Sequence, residues 1–199
     1  MTDSRIQIVH DNIHQRQSIG QLIEPAPNAE QLDIAIQAAL TAPDHHRLKP
    51  TRFILIGSEQ RQAFGQLLSE VMADLTQAAG EADQAQIERV KQHPFRAPML
   101  LIAVTHLQQH AKVPEFEQIL STGAAVQNLL LSLHAQGFAT MWRTGAVVES
   151  ALLKQGLGLS EQDLISGIVY IGTAAKAIAP RAAIDSAAFF SQWNPPSKA

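Results

Sequence analysis

Three short segments combine side chains that can hold or polarise a small ligand. The first is Arg16-Gln17-Ser18. A guanidinium two residues from a hydroxyl, at an irregular turn, can grip a phosphate through charge-assisted hydrogen bonds. The same triplet also suits a solvated loop. The second is Thr41-Ala42-Pro43-Asp44-His45-His46, where a proline breaks the chain and polar groups follow. Asp44 or His45 can equally serve there as the cap of a helix terminus. The third is Trp142-Arg143-Thr144-Gly145-Ala146, directly after an apolar run. A Trp-Arg pair is costly to bury without a task, and a glycine lets backbone N–H groups approach a planar ligand closely. Structural packing accounts for the pair as well.

Other chemistries are excluded or unsupported. There is no cysteine, which removes disulfide scaffolds, thiolate zinc sites, iron–sulfur clusters and cysteine nucleophiles. The nearest approach to Gly-x-Gly-x-x-Gly is Gly156-Leu157-Gly158, which runs into Glu161, and no Walker loop, Gly-x-Ser-x-Gly or His-Glu-x-x-His occurs. His10 with His14, and His106 with His110, stand four residues apart. With no third ligand nearby they are read as surface pairs, and no metal site is expected. The 15 basic residues are scattered from Arg5 to Lys198 and the net charge is −3, which argues against a nucleic-acid partner. No apolar stretch approaches the ~20 residues that span a bilayer. The opening Met-Thr-Asp-Ser-Arg lacks an apolar h-region, so no secretory signal is expected. With the missing cysteine, this fits a cytoplasmic protein.

The three segments need a scaffold. A chain of 199 residues, 46% hydrophobic, predicts one domain over 1–199. Only 17% of residues are charged, below the usual quarter, which suggests that part of the surface is covered by a partner such as a second copy. Ile6, Val9 and Ile13 mark one face of a helix over 4–14. Asn28 and Gln31 have the spacing of a capping box, and Leu32, Ala35, Ile36, Ala39 and Leu40 continue the helix to Pro43. Phe64 to Leu75 follow a helical period, and 80–93 reads as a short exposed helix. Residues 115–136, apolar all round at Leu129–Leu131, predict a central helix buried on every side and stopped by Gly137. Buried strands are expected at 52–57, 98–105, 138–142 and 164–173. The order suggests an α+β layered domain around a small sheet. Phe189, Phe190 and Trp193 crowd a C-terminal arm at about 186–199, which either docks on its own domain or packs on a second subunit.

Taken together the segments resemble the nitroreductase family, in its shortest branch. The motifs that carry the resemblance are Arg16–Ser18, Glu24–Pro27, Ala42–His45, Phe95–Pro98, Trp142–Ala146 and Gly172-Thr173, in order along nearly the whole chain. The resemblance implies a nitroreductase-like fold, a small mixed sheet covered by helices, and a homodimer with FMN in clefts at the subunit interface. It assigns the phosphate and ribityl chain to Arg16, Gln17 and Ser18. Thr41 and His45 carry over as helix-end positions, and Trp142, Arg143 and Thr144 lie against the isoalloxazine ring. It further implies ping-pong transfer from NADH or NADPH, through FMN, to a nitro-aromatic, quinone or similar small-molecule acceptor, with no catalytic side chain. Three positions depart from the pattern: Gln17 where arginine is frequent, Lys49-Pro50-Thr51 in place of Gln-Pro-Trp, and Ala174 in place of proline. Lys176 or Arg181 are candidates for the phosphate charge lost at Gln17. The alternatives are a flavin-binding sensor or store without turnover, and a helical interaction protein that binds no flavin.

Overall fold

The computed structural model describes residues 4–80 and 83–194. In chain order the elements are α1 (Ser4–Gln15), β1 (Leu22–Ile23), α2 (Ala29–Ala39), β2 (Thr51–Ile56), α3 (Arg61–Ala78), α4 (Gln84–Lys91), β3 (Met99–His106), α5 (Glu115–Ala135), β4 (Ala139–Arg143), α6 (Ala146–Glu149), α7 (Ala151–Gly156) and β5 (Asp163–Ala174).

Local signals account for most of the boundaries. Asn28 accepts a hydrogen bond from the Gln31 N–H while the Gln31 side chain accepts from the Asn28 N–H, so the expected capping box starts α2. The helix ends before Pro43, with Leu40 as its C-cap. Asp83 caps α4 and Ser150 caps α7. Glu81 and Ala82, at the start of the segment read as one polar helix, lie outside the described residues. Gly137 has φ +89 and closes α5, the left-handed stop that only glycine adopts freely.

The sheet runs β2-β3-β5-β4, every strand pair antiparallel, and β1 adds Leu22 and Ile23 against Ala174 and Thr173 at the far end of β5. A two-residue strand has no readable period, which is why sequence pattern yields four strands and the described residues form five. One parallel bridge, Ser18 to Thr140, extends the sheet beyond β4 and makes it mixed. Alternation along β3 and β5 divides the core. Leu101, Ala103, Val169 and Ile171 face α2 and α5, whereas Leu100, Ile102, Val104, Ile168 and Tyr170 face α3, α4 and α7.

Two expectations fail within the single chain. Helix α5 is not buried on every side: Leu129, Leu130 and Leu133 are buried, but Phe116, Ile119 and Leu120 in its first half are exposed. The arm does not dock on its own domain. Phe189, Phe190 and Trp193 are 83%, 80% and 77% exposed, and Pro195–Ala199 lie outside the described residues. The apolar face of α1 is likewise uncovered, with Ile6, Val9 and Ile13 exposed. No described helix is long and apolar enough to cross a membrane.

Candidate functional site

Residues 16–19 leave α1 and run beside β4. Ser18 bridges Thr140, and the Ile19 N–H donates to the Thr140 carbonyl at 3.0 Å. The chain beyond β5 returns as a strap over this segment. The Gln17 Nε2 donates to the Ala179 carbonyl at 2.7 Å, and the Arg181 Nη2 donates to the Arg16 carbonyl at 2.8 Å. A cavity of about 120 Å³ is lined by Arg16, Gln17, His134 and Thr140. A larger one of about 870 Å³ is lined by His14, Gln17, His134, Ile178 and Arg181. Among the described residues no carboxylate lines either. Burial, and then the facing Arg181, push the Arg16 guanidinium below its usual pKa. Burial, and then Arg16, do the same to His134. Gln17 thus acts on the strap, which also brings Arg181, one of the two cations considered from sequence beside Lys176, to the Arg16 backbone.

Thr41 and His45 lie elsewhere. The Thr41 hydroxyl donates to the Ala38 carbonyl at 2.7 Å, closing the end of α2. Asp44 accepts from the Leu48 and Lys49 N–H groups, capping the turn that follows. In that turn His46, Arg47 and Lys49 all have φ between 50° and 58°, a conformation uncommon outside glycine. His45 meets the Glu117 carboxylate at 2.6 Å, on the first turn of α5. His134, beside Arg16, is in the last turn. From Glu117 to His134 the helix rises roughly 25 Å. One chain therefore brings Arg16, Gln17 and Ser18 together and separates them from His45 by most of the length of α5, whereas Thr41 lies over the middle of that helix, where Asn128 donates to the same Ala38 carbonyl.

The Trp142 segment is split by strand alternation. The Trp142 indole N–H donates to the Ser166 carbonyl at 3.1 Å. Trp142, Thr144 and Gly145 line a cavity of about 650 Å³ with Ile119, Gly123, Val148 and Lys154. Arg143 projects from the other face of the sheet, hydrogen-bonded to the buried Tyr170. Arg143, Arg96 and Arg89 surround His93, and burial with these cations lowers its pKa to about 4. So Trp142 and Thr144 share a cavity that the Arg143 side chain does not enter. Lys49 and Thr51 line a separate hollow of about 470 Å³ between α2, β2 and α5.

Sequence reasoning missed the residues that aim Trp142. Between Ala103 and Val104 the β3–β5 register skips Ser166, forming a bulge. Gly167 in that bulge has φ +142, and a side chain there would collide with the Trp142 ring. A lone glycine within an otherwise apolar strand is the signal that marks such a position. Gly172, already marked by its motif, is held for a different reason: a Cβ there would press on Pro98 and the Ile23 carbonyl.

Known proteins share this fold. The nitroreductase family model matches residues 13–173. Escherichia coli YdjA is 39% identical over 158 residues, which cover 79% of this chain and 84% of that protein. A nitroreductase-like family protein from Bacillus cereus superimposes with a TM-score of 0.80 at 19% identity, covering 93% and 95% of the two chains. A Desulfovibrio desulfuricans structure solved in complex with FMN gives a TM-score of 0.68 at 21% identity, covering 94% and 98%. A family match across four-fifths of the chain, together with the fold and the order of its motifs, makes this chain a member of the nitroreductase family.

Proposed function

We propose that the protein is an FMN-dependent NAD(P)H oxidoreductase that works as a cytoplasmic homodimer. The observation that carries the reading is the pair of cavities joined by β4. At its Thr140 end lie the two adjoining cavities that share Gln17 and His134, one lined by Arg16 and the other by Arg181, and at its Thr144 end lies the cavity walled by Trp142. The two ends are four residues apart, roughly 13 Å along a strand. Two guanidiniums with no acid to neutralise them suit a phosphate. A flat indole beside Gly145, whose backbone has open space before it, suits a planar ring. The residues present therefore fit FMN.

When bound, FMN supplies the two-electron carrier between NADH or NADPH and a nitro-aromatic, quinone or similar acceptor. Arg16, Ser18 and Arg181 would hold the phosphate, and Gln17 holds the strap that carries Arg181. The Trp142 indole, fixed by the Ser166 carbonyl, forms a wall of the ring cavity. The Thr144 and Gly145 backbone lines the same cavity together with Lys154, Glu149, Glu161 and Asp163, and Arg143 and Arg96 place positive charge on the opposite side of the sheet. Donor and acceptor use one cavity in turn, which gives ping-pong kinetics. No side chain is needed as nucleophile, and none is assigned as catalytic.

The separation across α5 supports the homodimer. His45, on the first turn of α5, reaches a phosphate held by Arg16 only if it comes from a second copy. The uncovered faces of α1 and early α5, with the aromatic arm, supply apolar surface for that contact. The visible spectrum of the purified protein, before and after anaerobic NADH or NADPH, tests the reading. A flavin spectrum that bleaches is expected. One that persists selects a flavin-binding protein without turnover, and a colourless protein that takes up no FMN overturns the site.

A further inference from the structure

His134 stands at the meeting point of the two cavities of the Arg16 pocket and was not among the motif residues. Its tautomer follows from its neighbour. The Asn12 Nδ2 donates to the Leu131 carbonyl at 3.1 Å, which turns the Asn12 Oδ1 toward His134. That oxygen can only accept, so the His134 Nδ1, 2.8 Å away, carries the proton. In the neutral imidazole the other nitrogen, Nε2, is then a bare lone pair, and it has no hydrogen-bond partner among the described residues.

A bare Nε2 repels a phosphate oxygen, whereas a protonated Nε2 donates to it. Resting on the FMN reading above, we propose that His134 is a proton-coupled ligand of the flavin phosphate, its Nε2 binding the phosphate together with one proton. The charge pattern says why the proton arrives with the ligand. Without the phosphate, partial burial and then the Arg16 charge hold the imidazole neutral, and Arg181 lines the same cavity. The remaining titratable neighbour lining the larger cavity is His14 on α1, and no carboxylate offsets the guanidiniums there. A phosphate dianion reverses the local field. The C-terminal end of α5, where His134 sits, also favours a cation. The balance is simple. Free protein with neutral His134, plus FMN dianion, plus one proton from water, gives the complex with imidazolium and dianion; no bond to phosphorus changes.

The test is isothermal titration of FMN and of riboflavin into the full-length, flavin-free protein at pH 7.5, in two buffers of different ionisation enthalpy. At that pH the phosphate, with a second pKa near ~6, is already a dianion, so proton uptake reports the protein. Wild type is expected to take up roughly half to one proton with FMN and none with riboflavin. His134→Asn keeps a polar group toward Asn12 but removes Nε2. It is expected to abolish the uptake and to weaken FMN binding roughly three- to thirtyfold, leaving riboflavin unchanged. FMN that binds more tightly than riboflavin without proton uptake, or with the same uptake in His134→Asn, overturns the role of His134 and leaves the FMN reading standing. FMN and riboflavin binding equally, or neither binding, overturns the phosphate pocket itself and this proposal with it. If the variant fails to fold, the His134 ring resonances followed by NMR in the wild type assign the proton: conversion to imidazolium on FMN addition is expected, and a ring that stays neutral overturns the role.

Discussion

Replacing Gly167 by alanine is expected to damage both stability and the ring cavity. Ser166 is the extra residue of the β5 bulge: its carbonyl holds the Trp142 N–H, and its hydroxyl pairs with Thr105 at 2.6 Å. Gly167 follows at φ +142, and a Cβ there would lie 2.7 Å from the Trp142 Cδ1 and 2.8 Å from the Arg143 carbonyl oxygen. The carbonyl belongs to the paired strand β4 and cannot retreat, so the indole must leave. Backbone strain at this φ contributes about 1 kcal/mol, overpacking ~1–3 kcal/mol, and loss of the indole hydrogen bond about 1 kcal/mol. The total, roughly 3–5 kcal/mol, is a large share of the stability of a domain this size. The chain has two tryptophans, and Trp193 is exposed, so a Trp193→Phe background isolates Trp142. Urea unfolding followed by Trp142 emission should show the loss, with red-shifted native emission and weaker FMN binding. A destabilisation below about 1 kcal/mol, or native emission unchanged from the parent, would refute the claim that the bulge positions the indole.

Arg16→Ala is expected to weaken FMN by ~1–3 kcal/mol, the range of a charged hydrogen bond; an unchanged flavin dissociation constant removes Arg16 from the site. Truncation before Phe189 should loosen the proposed dimer, and sedimentation that finds an intact dimer contradicts that use of the arm. His93 links pH to stability. Its folded pKa of about 4 lies below the ordinary 6.5, so the unfolded chain binds a proton that the native state refuses. Stability therefore falls as pH drops from 6.5 toward 4, and is level outside that window. The unscreened value is ~3 kcal/mol; His93 is only half-buried, so solvent screening reduces the expectation to about 1 kcal/mol. Urea midpoints between pH 4 and 7 should lose this part of their slope in His93→Gln, and an identical slope excludes His93.

Features written within a few residues were legible in the sequence. The Asn28–Gln31 capping box, the Gly137 stop and the apolar runs of β2, β3 and β5 each depend on neighbours in the chain. The Arg16 segment was legible as a unit because its three residues stay together in space. Features that depend on distant partners were not. Trp142 and Arg143 are adjacent in sequence, yet alternation sends one toward Ser166 and the other toward Tyr170. Gln17 looked like a lost charge because its partner, the Ala179 carbonyl, is 162 positions away.

Hydrophobic periodicity says that a face will be covered, and not by what. The stripe of Ile6, Val9 and Ile13 on α1 and the apolar first half of α5 have the pattern of core helices, yet both stay open in the single chain. That failure is informative, because the same helix measures the distance that one chain cannot close. With Arg16 at the last turn of α5 and His45 paired to Glu117 on the first, one phosphate cannot touch both in one copy. The open apolar faces and the divided polar site thus ask for the same remedy. A second copy that covers early α5 and α1 would bring its own Thr41 and His45 with it, so burying the exposed surface and completing the flavin site become one event rather than two.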